Sequence, residues 1–426
     1  MTHLEIRPNR LEGNVTVPPS KSLAHRAIIC AALAQGESTV RNIQFSDDIR
    51  ATIDGMRSFG AEITEKKDVL TIQGIGINST GSSKQVKNTG GRDTVRLVDC
   101  NESGSTLRFL VPVATLFDGR TRFTGRGKLG KRPLTPYEEL FTNQGLDYEV
   151  LDTEKLDLLI KGTLSPDTIK LRGDISSQFI TGLLMTLPFL DGDSQIKVTT
   201  PLESKGYIDL TLAVFKDFGL DIQVEDDGQT FTIPGQQSLQ AADYMVEGDY
   251  SQAAFFLSAN QLGNDLELSG LNEQSLQGDK AILMILDKLA TESDRTIDGS
   301  QFPDIIPIAA LAAALTKGHT RFENLERLRI KESDRLLATQ AELEALGADI
   351  HIDGDALVIN GVDYLKGGVT VWSHKDHRIA MMLGIASTKC DEPIIIQDTD
   401  CVAKSYPNFW EVFQTLGGHI NERHLG

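Results

Sequence analysis

The feature that most constrains this fold is a pattern that occurs six times along the 426 residues. In each copy, a short run of small or polar residues leads directly into an almost wholly apolar helix. A helix that is apolar on every side must be covered by other elements all round. The copies recur at irregular intervals of roughly 70 residues, a period that indicates repeated supersecondary units. They start at residues 20–26, 102–108, 174–178, 248–252, 301–304 and 373–378.

A second pattern alternates with the first: an amphipathic helix ends at a glycine and runs straight into a strand. Glycine just past a helix end adopts the left-handed conformation that stops the helix. Gly145 fits this pattern more loosely, and the weakest copy has Ala290 where glycine is expected. The clear copies end at Gly60, Gly219, Gly347 and Gly417.

Together the two patterns predict six units, each with one buried helix, one amphipathic helix and several short strands. The chain is too long for one ordinary domain, so we expect two domains of three units each. The best linkers are the Pro18-Pro19 pair and the loop from Pro234 to Glu247. The predicted domains are residues 1–19 with 247–426, and residues 20–246.

The composition excludes some partners. The formal net charge of −18 argues against nucleic acid or an anionic membrane, because both require a basic surface. A small anionic ligand in a cleft with local cations stays possible. The four cysteines do not form a disulfide framework, and the N-terminus does not resemble a signal peptide. We therefore expect a cytoplasmic location.

Two polar segments, the first start and residues 327–335, combine cations with the beginning of a helix. Lys21 and Arg26 flank the first one, where serine hydroxyls and the helix N-terminus favour a phosphate or carboxylate. An ordinary capped helix explains this stretch equally well. Residues 327–335 place four cations before another helix, where cations are disfavoured unless an anion compensates them. We therefore expect residues 327–335 to have a functional role.

The remaining polar positions allow more than one interpretation. His374, Asp376 and His377 could bind a metal, but no further set of histidines or cysteines accompanies them. Arg378 at the start of a buried helix fits an anion site better. Asp304 is either a helix N-cap or a base, and the pattern alone favours the cap.

The motifs together resemble the 5-enolpyruvylshikimate 3-phosphate synthase family of enolpyruvyl transferases. The resemblance covers essentially the whole chain in order. It is carried by residues 20–26, 103–108, 175–179, 205–207, 331–335, 376–378 and 403–404. It implies an α/β (α+β) fold: a two-domain inside-out α/β barrel, in which each domain has three βαβαββ units around buried helices.

The resemblance also implies the reaction. The enolpyruvyl group of phosphoenolpyruvate would pass to the 5-hydroxyl of shikimate 3-phosphate through a tetrahedral ketal, with release of phosphate. This step belongs to the shikimate pathway of aromatic amino acid biosynthesis and would make the protein a glyphosate target. No metal or organic cofactor is implied. The expected partners are the two substrates, with no nucleic acid, no membrane and a monomeric state.

The roles of individual residues follow from the same resemblance. Residues 20–246 would carry mainly the shikimate 3-phosphate site, and residues 1–19 with 247–426 mainly the phosphoenolpyruvate and catalytic residues. The implied catalytic residues are Asp304, Glu332, Lys21 and His377. The implied shikimate 3-phosphate ligands are Lys21, Ser22, Arg26, Ser176, Ser177, Gln178, Ser204, Tyr207, Asp304 and Lys331. The implied phosphoenolpyruvate ligands are Lys21, Gly104, Lys128, Gln178, Arg335, Arg378 and Lys404.

Three positions depart from the family pattern: Glu102 and Arg327 replace asparagine, and Lys128 replaces arginine. A carboxylate at Glu102 must pair with a cation, turn away or be protonated. The alternatives to the implied function are a UDP-N-acetylglucosamine enolpyruvyl transferase and a non-catalytic phosphometabolite-binding protein. The first normally has a reactive cysteine in the loop that here spans residues 125–133, which contains none. The second would not require the proton-transfer residues Asp304, Glu332 and His377, and all three are present.

Overall fold

The computed structural model describes residues 2–77, 95–152 and 154–423. Over these residues the chain forms twelve α-helices. They are α1 (Lys21–Leu33), α2 (Asp47–Ser58), α3 (Gly104–Val113), α4 (Thr135–Asn143), α5 (Ser177–Leu184), α6 (Lys205–Asp217), α7 (Tyr250–Gln261), α8 (Ile282–Thr291), α9 (Ile306–Ala314), α10 (Arg335–Ala345), α11 (His377–Ala386) and α12 (Phe409–Thr415).

The same residues form 22 strands, most of them about five residues long. They are β1 (His3–Arg7), β2 (Glu12–Thr16), β3 (Gln35–Arg41), β4 (Glu62–Lys66), β5 (Val69–Ile75), β6 (Val95–Asp99), β7 (Arg120–Thr124), β8 (Asp147–Asp152), β9 (Asp157–Lys161), β10 (Thr168–Leu171), β11 (Ser194–Val198), β12 (Gln223–Val224), β13 (Thr230–Ile233), β14 (Asp243–Met245), β15 (Asp265–Ser269), β16 (Asp294–Asp298), β17 (His319–Glu323), β18 (Asp349–Asp353), β19 (Ala356–Asn360), β20 (Thr370–Trp372), β21 (Ile394–Gln397) and β22 (His419–Arg423).

The described strands pair into six small sheets, and five of these sheets share one topology. In each of the five, a parallel pair is followed by two antiparallel pairings. In one example β6 lies parallel to β7, with Val95 opposite Arg120, β7 is antiparallel to β9, and β9 is antiparallel to β8. The other four sheets have the orders β14-β3-β5-β4, β10-β11-β13-β12, β16-β17-β19-β18 and β20-β21-β1-β22. The sixth sheet is the parallel pair β15 and β2.

The chain divides into two compact units. The continuous unit is Lys21–Val246, and the discontinuous unit combines Met1–Ser20 with Glu247–Gly426. Each unit has its own hydrophobic core. The division lies one residue from the expected boundary, because the N–H of Ser20 donates to the carbonyl of Glu247 (2.8 Å) and Ser20 therefore lies with the discontinuous unit.

Each unit contains three buried helices, as the repeated pattern predicts. The continuous unit has α1, α3 and α5, and the discontinuous unit has α7, α9 and α11. All residues of α9 and α11 are buried. Each buried helix is followed in the chain by an amphipathic partner, from α2 to α12. The predicted fold class and repeat are therefore confirmed.

The glycine stops are also confirmed. The residue that follows the end of an amphipathic helix is left-handed at Gly60 (φ 108°) and at Gly347 (φ 101°), where a side chain would be strained. The weakest predicted copy is the exception. Helix α8 runs through Ala290 to Thr291 and ends at Glu292 with φ −114°, so no left-handed residue stops it.

None of the helices in the described residues is both long and apolar enough to cross a membrane.

We predict that Gly182→Ala destabilises the continuous unit by about 1–3 kcal/mol, because overpacking a tight helix contact has a cost of this size. Gly182 lies on α5 where a Cβ atom would overlap the backbone carbonyl of Arg108 and the hydroxyl of Tyr137. The matched control is Gly55→Ala on α2, whose added Cβ would meet only side-chain atoms, with Leu110 nearest at 2.5 Å. Guanidinium unfolding curves of the two variants provide the measurement. Equal unfolding free energies would contradict the prediction.

Candidate functional site

In the discontinuous unit, the carboxylate of Asp304 lies among three cations. Its Oδ1 is 3.0 Å from Nη1 of Arg335 and 3.4 Å from Nζ of Lys331. Its Oδ2 is 3.5 Å from Nη2 of Arg378. These four residues come from three separate segments of the chain, residues 301–304, 327–335 and 373–378. The fold therefore brings together side chains that the sequence separates by up to 74 positions.

Arg335 is the most heavily bonded of these cations and is about 1% exposed. Its Nε donates to Oδ2 of Asp376 (2.9 Å), and its Nη2 donates to Oδ1 of Asp376 (3.2 Å) and to Glu332 (2.8 Å). With Asp304, three carboxylates contact one guanidinium. They raise the pKa of Arg335 despite its burial, so this side chain stays charged.

Asp376 holds two elements together from a completely buried position. It caps α11 by accepting from the backbone N–H of Arg378 (2.9 Å), and it accepts from the hydroxyl of Ser333 (3.0 Å). The hydroxyl and the guanidinium that it binds belong to the segment at the start of α10. The start of α10 is therefore fixed to the start of α11 through a single carboxylate.

The electrostatics of the cluster favour ionised carboxylates. Burial acts to raise the pKa of Asp304, but Lys331, Arg378 and Arg335 outweigh it and hold that pKa well below its usual range. The pKa of Lys331 is lowered to about 8, mainly by burial. The positive charges of Arg327 and Arg335 also lower it, and the negative charge of Asp304 raises it. Lys331 can therefore gain or lose a proton near neutral pH, which an ordinary lysine cannot.

A further carboxylate, Asp279, is linked to Arg378 through Ser251. Asp279 accepts a short hydrogen bond from the hydroxyl of Ser251, and the carbonyl of Ser251 accepts from Nη1 of Arg378 (3.1 Å). Burial raises the pKa of Asp279 to about 6, and the negative charges of Asp304 and Asp249 add to this effect. Sequence reasoning did not single out Asp279.

His377 and Lys404 also lie in this unit and are buried, at 2% and 6% exposure. The Nδ1 of His377 is 3.9 Å from Oδ1 of Asp376. Lys404 ends a 3₁₀ turn, Thr399–Lys404, that packs against α11. A lysine that sequence reading alone would place on the surface is therefore inside the unit.

In the continuous unit, the first start places Lys21 as the first residue of α1. Its Nζ donates to Oδ2 of Asp48 (2.7 Å), whose side chain is 5% exposed. Asp48 lies in the first turn of α2. The cation at the start of one helix is thus partnered by a carboxylate from the next.

Arg26 is buried and bonded within the same unit. Its Nε donates to the hydroxyl of Thr211 (2.8 Å), and its two Nη atoms donate to the carbonyls of Ser22 (2.7 Å) and Tyr207 (2.8 Å). It also lies over the ring of Phe109 at 5.3 Å. Burial lowers its pKa to about 10.

Gly104 begins α3 and is surrounded by polar side-chain ends. A Cβ atom on Gly104 would lie 2.7 Å from Nη1 of Arg132, 3.4 Å from Nη1 of Arg108 and 3.7 Å from Oε1 of Gln178. Gln178 is fixed there, because its Oε1 accepts from Arg108 (2.7 Å) and its Nε2 donates to Ser105 (2.9 Å). Two guanidinium groups and an amide therefore line this helix N-terminus.

The other predicted ligands of this unit lie at helix starts or on the loop before α4. Ser176 caps α5 by accepting from the N–H of Gln178 (3.3 Å), and Ser177 is buried beside it. Ser204 precedes α6 in a left-handed conformation, φ 55°. Lys128 is exposed. The side chain of Glu102 lies against Gly127, so this departure from the family pattern is directed toward the loop of residues 125–131.

Asp304 is not the N-cap of α9, although the sequence pattern favoured that interpretation. The N-cap position is Ile305, which makes no side-chain capping bond. The Asp304 carboxylate is directed instead to Lys331, Arg335 and Arg378, which lie on other segments. Sequence reasoning also gave no role to Asp48, Arg108 and Arg132. Only Arg132, which precedes a proline in the loop before α4, carries a local signal.

Within the described part of the chain, no group of three or more histidine, cysteine, aspartate and glutamate side chains is arranged as metal ligands would be. Among the residues first considered for a metal, His374 instead contacts Glu342, with Nε2 2.7 Å from Oε1.

Comparisons with known proteins agree over the full length. The family model described as EPSP synthase (3-phosphoshikimate 1-carboxyvinyltransferase) matches residues 6–413. Proteins named 3-phosphoshikimate 1-carboxyvinyltransferase from Clostridium botulinum (strain Alaska E43 / Type E3) and Clostridioides difficile (strain 630) are 52% and 51% identical to this chain. Both alignments cover 100% of each chain.

Solved structures show the same fold. EPSP synthase from Acinetobacter baumannii superposes with a TM-score of 0.81 at 24% identity, covering 100% of both chains. The enolpyruvyl transferase NikO from Streptomyces tendae superposes with a TM-score of 0.77 at 18% identity, covering 100% of this chain and 99% of the other.

We predict that Asp279 makes stability depend on pH. Because its folded pKa of about 6 exceeds the usual 3.8, the folded state binds more protons between these values. The stabilisation is complete below about pH 3.8 and is lost as pH rises through 6. Relative to Asp279→Asn, the wild-type unfolding free energy should therefore fall by about 2 kcal/mol between pH 4 and 7. Denaturant unfolding at several pH values measures this.

The control for this prediction is Asp287→Asn, which removes an exposed carboxylate from α8. A wild-type minus Asp279→Asn difference that stays constant with pH would contradict the role given to burial.

Proposed function

The chain belongs to the EPSP synthase (3-phosphoshikimate 1-carboxyvinyltransferase) family, and on this premise we propose which of its residues perform the reaction. Its function is that of an EPSP synthase, a transferase of the shikimate pathway and of aromatic amino acid biosynthesis. The enzyme joins the enolpyruvyl group of phosphoenolpyruvate to the 5-hydroxyl of shikimate 3-phosphate and releases phosphate. The observation that carries the residue assignment is the Asp304 carboxylate among Lys331, Arg335 and Arg378.

The continuous unit supplies most of the shikimate 3-phosphate ligands. Lys21 binds the phosphate, and Arg26 binds the carboxylate with the N–H groups that remain beyond its bonds to Ser22 and Tyr207. Hydroxyl groups complete the site because they can donate to phosphate oxygens without adding charge. The remaining ligands of shikimate 3-phosphate, which contact its phosphate or its ring, are Ser22, Ser176, Ser177, Gln178, Ser204 and Tyr207.

Phosphoenolpyruvate carries a carboxylate and a phosphate, and its ligands are mainly cations. Arg335 and Arg378 offer planar guanidinium groups suited to carboxylate oxygens, and Lys404 adds a third cation in the same unit. The residues assigned to it in the continuous unit are Lys21, Gly104, Lys128 and Gln178. Shikimate 3-phosphate is contacted in turn by Asp304 and Lys331.

Asp304 accepts the proton of the 5-hydroxyl as the oxygen attacks the enol carbon. In the free protein its low pKa makes it a weak base. The anionic groups of phosphoenolpyruvate take up part of the positive charge of Arg335 and Arg378. The pKa of Asp304 then rises toward the value that a base requires.

Glu332 donates a proton to the methylene carbon, so that a methyl group and a ketal carbon form together. Its position 2.8 Å from Nη2 of Arg335 places it beside the carboxylate-binding guanidinium. Lys331, with a pKa of about 8, and His377 are nearby charge and proton partners. In the elimination, Glu332 takes back a proton from the new methyl group as the C–O bond to phosphate breaks. The proton held by Asp304 passes to the departing phosphate, and the enol ether remains.

The alternative of a UDP-N-acetylglucosamine enolpyruvyl transferase is not favoured. Burial raises the pKa of all four cysteine thiols, with Cys401 at about 12, so none is a ready nucleophile. Loop residues 125–133 contain no cysteine. The monomeric state and the cytoplasmic location stay predictions.

We predict that the purified protein releases phosphate when shikimate 3-phosphate and phosphoenolpyruvate are both present, and not with either alone. A coupled phosphate assay measures this. UDP-N-acetylglucosamine in place of shikimate 3-phosphate should give no release, and release with that acceptor would refute the assignment.

We further predict that Glu332→Gln and Lys21→Ala each lower kcat by about 10²–10⁴-fold, the usual contribution of a positioned proton-transfer group. Two matched controls make the same kinds of substitution at exposed positions. Glu326 contacts Arg329 at 3.4 Å, and Lys205 contacts Asp209 at 2.6 Å, so Glu326→Gln and Lys205→Ala should retain full turnover. Circular dichroism checks the fold of each variant. Wild-type turnover in Glu332→Gln would exclude its role as proton donor.

A further inference from the structure

The turn that precedes Asp376 has an unusual backbone. His374 and Lys375 are both left-handed, with φ of 53° and 57°, and neither is glycine. The turn is closed by the N–H of Asp376, which donates to the carbonyl of Ser373 (2.9 Å). Two consecutive L-residues adopt this conformation only where surrounding contacts impose it. The contacts around residues 372–376 therefore impose this backbone conformation.

The strongest contacts come from Glu342 on α10. Its Oε2 accepts from the backbone N–H of Trp372 (2.8 Å), and its Oε1 lies 2.7 Å from Nε2 of His374. Because a carboxylate is an acceptor only, the Nε2–H of His374 is the donor. Glu342 is about 9% exposed, so these bonds are shielded from water. We refer to Glu342 and His374 together as the clasp.

Trp372 and Asp398 support the other side of the turn. The indole ring of Trp372 lies against the imidazole of His374, with ring centroids 4.2 Å apart and planes tilted by 33°. Its Nε1 donates to Oδ2 of Asp398 (2.9 Å), and the hydroxyl of Ser373 donates to the carbonyl of Asp398 (3.0 Å). The imidazole is therefore held between an indole ring and a carboxylate.

Helix α10 is thus attached to the 372–376 segment at two points. Arg335 binds Asp376 at the start of the helix, and Glu342 binds Trp372 and His374 seven residues later. Residues seven apart lie on the same helical face. The second attachment holds the backbone turn that precedes Asp376. Asp376 then binds the Arg335 guanidinium directly.

We propose that Glu342 and His374 are positioning residues: the clasp holds the left-handed turn 374–375 so that Asp376 aims Arg335 at phosphoenolpyruvate. The proposal rests on the proposed role of Arg335. The clasp does not contact substrate. Its loss moves Asp376 and changes the affinity for phosphoenolpyruvate, while the proton-transfer groups Asp304 and Glu332 stay in place.

The test measures KM for phosphoenolpyruvate, KM for shikimate 3-phosphate and kcat in four variants. Glu342→Ala and His374→Ala open the clasp. His374→Gly removes the same contacts, but glycine accepts the left-handed conformation without strain. Glu344→Ala is the control, since this exposed residue of α10 accepts a hydrogen bond from Gln340 (3.2 Å) on the same helix and does not belong to the clasp. Tryptophan emission, to which Trp372 and Trp410 both contribute, shifts if the contact of Trp372 with His374 is lost.

We expect KM for phosphoenolpyruvate to rise about 10–100-fold in Glu342→Ala and His374→Ala, the cost of a displacement near 1 Å. KM for shikimate 3-phosphate should change less than twofold, and tryptophan emission should shift. KM in His374→Gly should be about tenfold lower than in His374→Ala, because the left-handed penalty is absent. The Glu344→Ala control should match the wild type in all readouts.

Two results would overturn the proposal. One is an emission shift in Glu342→Ala with an unchanged KM for phosphoenolpyruvate. The other is an equal KM in His374→Ala and His374→Gly, which would indicate a packing role alone. Arg335→Lys is measured in parallel. If its KM for phosphoenolpyruvate is that of the wild type, the proposed function of Arg335 fails; if its KM rises while Glu342→Ala stays normal, only the clasp fails.

Discussion

The site in the discontinuous unit depends on one buried guanidinium. Arg335 contacts Asp304, Glu332 and Asp376, which come from three different parts of the chain. Removing one partner of such a set leaves charge uncompensated in a poorly solvated place, which costs several kcal/mol. The carboxylates thus keep the cation charged and directed, and the cation lowers the pKa values of Asp304 and Asp376. In the proposed mechanism, the anionic groups of phosphoenolpyruvate compete for the same guanidinium.

This arrangement also explains how cations are tolerated at the starts of helices. Arg335 begins α10 and Lys21 begins α1, positions where the helix dipole disfavours positive charge. From the sequence, these cations indicated an anionic ligand. The structure shows that the protein itself supplies compensating carboxylates, Asp376 and Asp48. Anions do compensate these cations, and the first of them are the protein's own carboxylates.

Much of the fold could be predicted from the sequence because its signals are local. Apolar runs after polar starts identify the buried helices, and Gly60 or Gly347 marks where a helix ends. The site could be predicted only in part, because its contacts join distant positions. Asp304 looks like a helix cap in its own neighbourhood, and only the fold brings it to Arg335 and Arg378. Asp279 carries no local pattern at all, and its role depends on burial.

The central position of strand β1 has a consequence for synthesis of the chain. This strand, residues 3–7, lies between β21 and β22, with Leu4 opposite both Ile396 and Glu422. Domains generally fold as units while the chain is being made. The continuous unit has all its residues once position 246 has emerged. The first strand of the protein must instead wait, unpaired, for some of the last residues to be added.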